Sequence, residues 1–138
     1  MNTLQKIILF WLITMVGMIL HFNYNVSGIF YEIDIVSDRA EGIIPTSTHI
    51  IRALYYHLPI LFILLLVYFK NRVIAALFVV TSFIYCITHI LHLFGELLKP
   101  NVDPSQISLL FIVAVVSVFL GFEHLNYRRE LKWIEQPN

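Results

Sequence analysis

Six histidines stand in a chain that is otherwise mostly apolar. Imidazole is the commonest protein ligand for transition ions, and it also takes up and releases protons near neutrality. Apolar surroundings favour its neutral, ligating form. His89 and His92 are spaced i, i+3, so they share one face of a helix. Glu96 continues that face by one turn, and Tyr85 continues it in the other direction. His21 has Met18 at i−3 and Asn25 at i+4 on its own face. The chain contains no HExxH pair of the metalloprotease kind and no ExxH pair of the kind that builds di-iron bundles. Its single cysteine, Cys86, excludes an internal disulfide framework and a cysteine-based zinc site.

The elements that carry these side chains follow from composition. Of 138 residues, 59% are hydrophobic and 13% charged, against about 25% charged in a soluble domain. Mean hydropathy is +0.80. The formal net charge is zero, so there is no basic surface for nucleic acid and no signature of disorder. Four stretches free of Asp, Glu, Lys and Arg lie between Lys6 and Glu32, Arg52 and Lys70, Arg72 and Glu96, and Asp103 and Glu123. Each is close to the ~20 residues that cross a bilayer as a helix. The sequence therefore predicts an all-α integral membrane four-helix bundle, a single domain over 1–138. Its helices are expected at 4–24, 48–69, 73–96 and 105–127.

Local signals fit these bounds. Thr46, Ser47 and Thr48 offer N-caps for the second helix, and Asp103-Pro104 reads as a cap followed by proline at the first helical position. Pro59 should free the carbonyl of Tyr55 and kink the second helix. The first apolar run leads into His21-Phe22-Asn23-Tyr24-Asn25 with no small-x-small cleavage site, so it reads as a retained helix. Six basic residues, Lys6, Lys70, Arg72, Arg128, Arg129 and Lys132, fall on the side of both termini, against Arg39, Arg52 and Lys99 on the other. The positive-inside rule makes that arrangement N-in/C-in. The location expected is a plasma or inner membrane.

Counting ~1.5 Å per residue from the inner helix ends puts His21 about 22 Å, His57 about 20 Å, His89 about 26 Å and His92 about 30 Å up their helices. His49 falls near the outer rim and His124 near the inner surface. Three different helices thus carry imidazoles to compatible depths in the outer half of the bilayer. Polar side chains within a span mark functional sites by default. A set of His21, His57, His89 and His92 suits zinc, copper or iron, and two of them facing each other suit a haem. Met15 and Met18 are soft donors for Cu(I). Glu96, Glu41 and Tyr85 are placed to hydrogen-bond the ligands or to move protons. The plain alternative is that each histidine only hydrogen-bonds between helices.

The first outer loop, 25–47, is long for a bundle and alternates apolar residues with Glu32 and Asp34. It reads as a short strand or an interfacial segment between Gly28 and Gly42, able to bring Asp38 or Glu41 over the histidines. The fourth helix carries no ionisable group at mid-membrane. Its Ala114, Ser117 and Gly121 form a small-residue face for close helix packing, and it reads as a buttress. Three functions are compatible with these residues. One is a metal or haem protein with redox or proton-transfer chemistry. Another is a non-catalytic accessory or assembly subunit of a larger membrane complex. A third is a metal-free His/Glu acid–base enzyme such as an isomerase. The partners implied are the lipid bilayer, other membrane subunits or a second copy, and no nucleic acid.

Overall fold

The computed structural model describes residues 1–34 and 42–134. It contains four helices long and apolar enough to cross a membrane: α1 (Thr3–Ser27), α2 (Thr46–Tyr68), α3 (Arg72–Leu97) and α4 (Pro104–Ile134). Among the described residues there is no strand.

Each helix start has a physical cause. Asn2 and Gln5 form a reciprocal capping box at α1, with Asn2 Oδ1 accepting from the Gln5 amide at 2.9 Å and Gln5 Oε1 from the Asn2 amide at 3.0 Å. Asn71 caps α3 through the Val73 amide at 2.7 Å. Asp103 Oδ1 accepts from the Ser105 amide at 2.8 Å, with Pro104 opening α4. The expected hydroxyl caps of α2 are not used: Pro45 is the N-cap, without a side-chain bond, and Thr46, Ser47 and Thr48 already lie in the helix. At its far end α4 runs past the expected 127. No helix breaker interrupts it there, and α1 holds it through Thr3 Oγ1 to Glu130 Oε1 and Lys6 Nζ to Glu123 Oε1 at 2.9 Å. The alternation after Ser27 does not make a strand in the described part of the loop. A 3₁₀ turn spans Gly28–Tyr31 and ends on Glu32 in the left-handed region. Its bonds close locally, from the Ile33 amide to the Gly28 carbonyl at 3.1 Å. Residues 35–41, with Asp38 and Glu41, lie outside the described residues.

Both α1 and α3 pack against α4, antiparallel to it. On α1 the pairings descend from Lys6–Glu123 through Gly17–Val113 to Asn25–Gln106. On α3, Phe78 stacks on His124 and Phe83 lies over Gly121. The α4 face of Ala114, Ser117 and Gly121 is buried. The approach to α1 is closest at Gly17, where an added Cβ would fall 2.3 Å from Val113 Cγ2. In α2, Phe62 meets Trp11 of α1 at 5.3 Å and Phe78 of α3 at 5.3 Å between ring centroids. Trp11, Phe62, Phe78 and Tyr85 form the centre of the core. Trp11 donates its indole N–H to His124 Nε2 at 3.2 Å, with both residues fully buried.

Pro59 does more than bend α2. The turn before it, Ala53–His57, is π-helical, and the Leu58 amide bonds back to the Ala53 carbonyl. That takes from the Leu54 carbonyl its usual α-helical donor. The next amide in the widened register belongs to position 59, which as proline has none. Pro59 also withholds the α-helical donor of the Tyr55 carbonyl, and the carbonyl that the π turn adds is that of Leu54. The Tyr85 hydroxyl of α3 donates to it. Within a bilayer no water answers such a group.

Two outcomes are expected for stability in detergent. Tyr85→Phe should lower unfolding free energy by about 1–2 kcal/mol, and most of that loss should vanish in a Pro59→Ala background, where the backbone can supply its own donor. A thermodynamic double-mutant cycle reads this directly, and an unchanged loss in that background contradicts it. Gly17→Ala should destabilise by about 1–3 kcal/mol through overpacking. Gly95→Ala, which meets nothing within 4 Å, should be neutral or slightly stabilising.

Candidate metal centre

Two helices and one turn build the site. Helix α1 presents His21 and, one turn on, Asn25. Helix α3 presents His92 and Glu96, and Lys99 follows in the turn after it. One ligand atom from each of His21, His92 and Glu96 lies within 4.8 Å of the other two. The two imidazoles meet edge to face, with ring centroids 4.7 Å apart and planes at 88°. His92 Nε2 stands 3.8 Å from Glu96 Oε1, and Lys99 Nζ reaches the same oxygen at 2.6 Å.

The surroundings are graded. His21 is buried, while the Glu96 and His92 side chains are 13% and 28% exposed. Asn25 orients His21 from its own helix: its amide nitrogen lies 3.3 Å from His21 Nε2 and 3.2 Å from the His21 carbonyl. Gln106 of α4 in turn donates to Asn25 Oδ1 at 3.2 Å. His21 Nδ1 is buried and has no hydrogen-bond partner among the described residues. That leaves one ring nitrogen held from outside and the other open, the arrangement a histidine ligand adopts with its supporting shell.

The structure brings together only part of the four-histidine set. His21 and His92 converge, and Glu96 joins them with its carboxylate at the group itself. His89 lies outside this group. It is buried against the rings of Tyr55 and Tyr85 at 5.4 and 6.0 Å, and neither of its ring nitrogens has a partner among the described residues. His57 sits in the π turn of α2 and is exposed, as is His49. His124 does not reach the inner surface but turns into the core, between Trp11 and Phe78. Tyr85 gives its hydroxyl to Leu54 rather than to the histidines. Glu41 lies outside the described residues. Met18 packs in the core with Leu110 and Val113.

Two residues of the site went unnoticed in the sequence. Lys99 stands at i+3 from Glu96, a spacing that marks a helical ion pair. Gln106 carries no local signal; only the antiparallel pairing of α1 with α4 takes it to Asn25.

At the same end of the bundle a pocket of about 420 Å³ opens beside Asn25 and Gln106, with Tyr24, Tyr31, Ile33, Asn101 and Asp103 among its walls. Comparisons of the chain with protein-family models, with curated proteins and with solved structures found no match.

Proposed function

We propose that this membrane protein binds one transition-metal ion between α1 and α3, with His21, His92 and Glu96 as its protein ligands. The convergence of these three donor atoms within 4.8 Å is the observation that carries the reading. Two imidazoles and a carboxylate are the donor set of catalytic zinc sites and of non-haem iron(II) sites. Both kinds keep a position open for water or substrate. Copper(I) is less well served, because the thioether of Met18 packs away from the group. The edge-to-face contact of His21 and His92 favours a single ion over a haem held between them. An ion there supplies a Lewis acid or a redox centre, and this supports proton-transfer or redox chemistry at the membrane. His21 is held in register by Asn25, and Asn25 by Gln106. The start of α1 and the last turns of α4 lie at the opposite end of the bundle, since Thr3 and Lys6 meet Glu130 and Glu123. Together with the excess of basic residues expected on that side, this supports an N-in/C-in arrangement in a plasma or inner membrane, with the metal group towards the outer side.

Elemental analysis of the detergent-purified protein should find about one zinc or iron per chain. His92→Ala and Glu96→Gln should each weaken binding of that ion by tenfold or more, and Asn25→Ala by about 10-fold. His57→Ala and His89→Ala should leave it within about twofold of the wild type. The reading fails if no ion is retained and added zinc or iron(II) binds wild type no better than His92→Ala. It also fails if His57→Ala or His89→Ala abolishes binding, because the ligands would then be a different set.

A further inference from the structure

We propose that a crevice between α1 and α2 binds one anionic phospholipid, with its phosphate on Arg52. The crevice holds about 310 Å³, at the lower end of the range for small-molecule sites. Among the described residues it is lined by Ile19 and Phe22 of α1 and by Arg52 and Tyr56 of α2. It shares no residue with the proposed metal group. His21 meets His92 of α3, and one residue further along a helix turns a side chain by about 100°, which brings Phe22 to the α2 side.

The charge in this crevice is uncompensated. Neither α1 nor α2 contains an Asp or a Glu, and Arg52 forms no ion pair among the described residues. A guanidinium cannot discharge itself by losing a proton, and a cation left unpaired in a membrane-spanning helix is costly. Arg52 is half-buried in the wall. Its planar fork takes two oxygens of a phosphate or carboxylate at once. Tyr56 supplies the other polar atom of the lining, a hydroxyl that can donate to an anionic oxygen. Counting ~1.5 Å per residue from Lys70 puts Arg52 about 27 Å and Tyr56 about 21 Å up α2, and counting from Lys6 puts Ile19 and Phe22 about 20 and 24 Å up α1. The charge therefore stands nearest the membrane surface, and the apolar wall lies beneath it. A lipid has the same order, head above chain.

Ile19 and Phe22 are 43% and 51% exposed on a membrane-spanning helix, so the crevice opens sideways to the bilayer. The amphiphiles of the bilayer itself are what reach it from that side. A zwitterionic headgroup would bring an ammonium along with its phosphate, and no described residue of the crevice is a carboxylate to receive it. A net-anionic phospholipid meets the guanidinium without that cost.

Native mass spectrometry of the protein released from nanodiscs made of equal parts phosphatidylglycerol and phosphatidylcholine tests this. Wild type should keep one phosphatidylglycerol per chain after the other lipids are stripped. Arg52→Gln should lower that preference about fivefold or more. Arg52→Lys should fall between the two, which separates a lost charge from a lost fold. Ile19→Trp, which keeps the charge and fills the crevice, should lower the preference about as far as Arg52→Gln. Arg128→Gln, at the opposite end of the bundle, should keep the wild-type preference, and so should His92→Ala, whether or not the metal reading holds. Equal retention of the two lipids by wild type, a wild-type preference in Arg52→Gln or Ile19→Trp, an equal loss in Arg128→Gln, or displacement of the phosphatidylglycerol by equimolar oleate would overturn the inference.

Discussion

Hydrocarbon offers no hydrogen-bond partner, so a chain that crosses it must answer its own polar groups. Most of the structure can be understood from that requirement. Hydroxyls inside the spans turn back on their own helix: Thr14 to the Trp11 carbonyl, Ser82 to Val79 and Ser117 to Ala114, at 2.7–2.9 Å. The indole of Trp11 answers His124, and the hydroxyl of Tyr85 answers the carbonyl that Pro59 leaves open. Against that background an unanswered buried group is conspicuous. His21 Nδ1, both nitrogens of His89 and Gln106 Oε1 are such groups in the half of the bundle that holds Glu96, and Glu123 Oε2, His124 Nδ1 and the Tyr127 hydroxyl are such groups in the other half.

The same requirement gives α4 its place. It is the helix on which both α1 and α3 close, and small side chains allow the approach. Gly17 leaves no room for a Cβ beside Val113, and Gly121 lies under Phe83. A central helix without ionisable groups at mid-membrane is what such packing demands, since a charge there would have no partner. The side chains of the proposed metal group are therefore carried by α1 and α3, which α4 holds side by side and parallel. Helix α2 has a looser attachment through Phe62 and the π turn, and its two histidines, His49 and His57, stay exposed.

These geometries set how far the fold and the site are legible in the sequence. The four spans are legible because a charge-free run of about 20 residues is rare outside a membrane helix. Depth is legible as well, since rise per residue is fixed; His21 and His92 do meet. Azimuth is not. His89 and His92 are neighbours on a helix surface, yet three residues leave them about 60° apart around the axis. In a bundle this narrow, that angle separates the Glu96 group from the tyrosine cluster. His57 misses the site for a related reason. It lies in a π turn, and one extra residue in a turn rotates the rest of the helix by about 100°. Pro59 announces a disturbance but not its register. Lys99 is legible as an i+3 partner of Glu96, whereas Gln106 reaches the site only through the pairing of α1 with α4.

Lys99 bears on how such a site survives without an ion. Glu96 is 13% exposed, and a carboxylate at the edge of the hydrocarbon is expensive to leave unpaired. Its partner is an ammonium on a long stem, 52% exposed, at 2.6 Å. An arginine would lock the carboxylate in a bidentate grip; a lysine offers a compact, well-hydrated charge on a flexible chain. An incoming ion would have to displace that charge from Oε1, and the ammonium can move into water at little cost because half of it is already there. The pair thus holds Glu96 in place beside His92 while leaving it exchangeable. A lysine in the turn just beyond the helix end, where water is at hand, is consistent with a carboxylate that is meant to change partners.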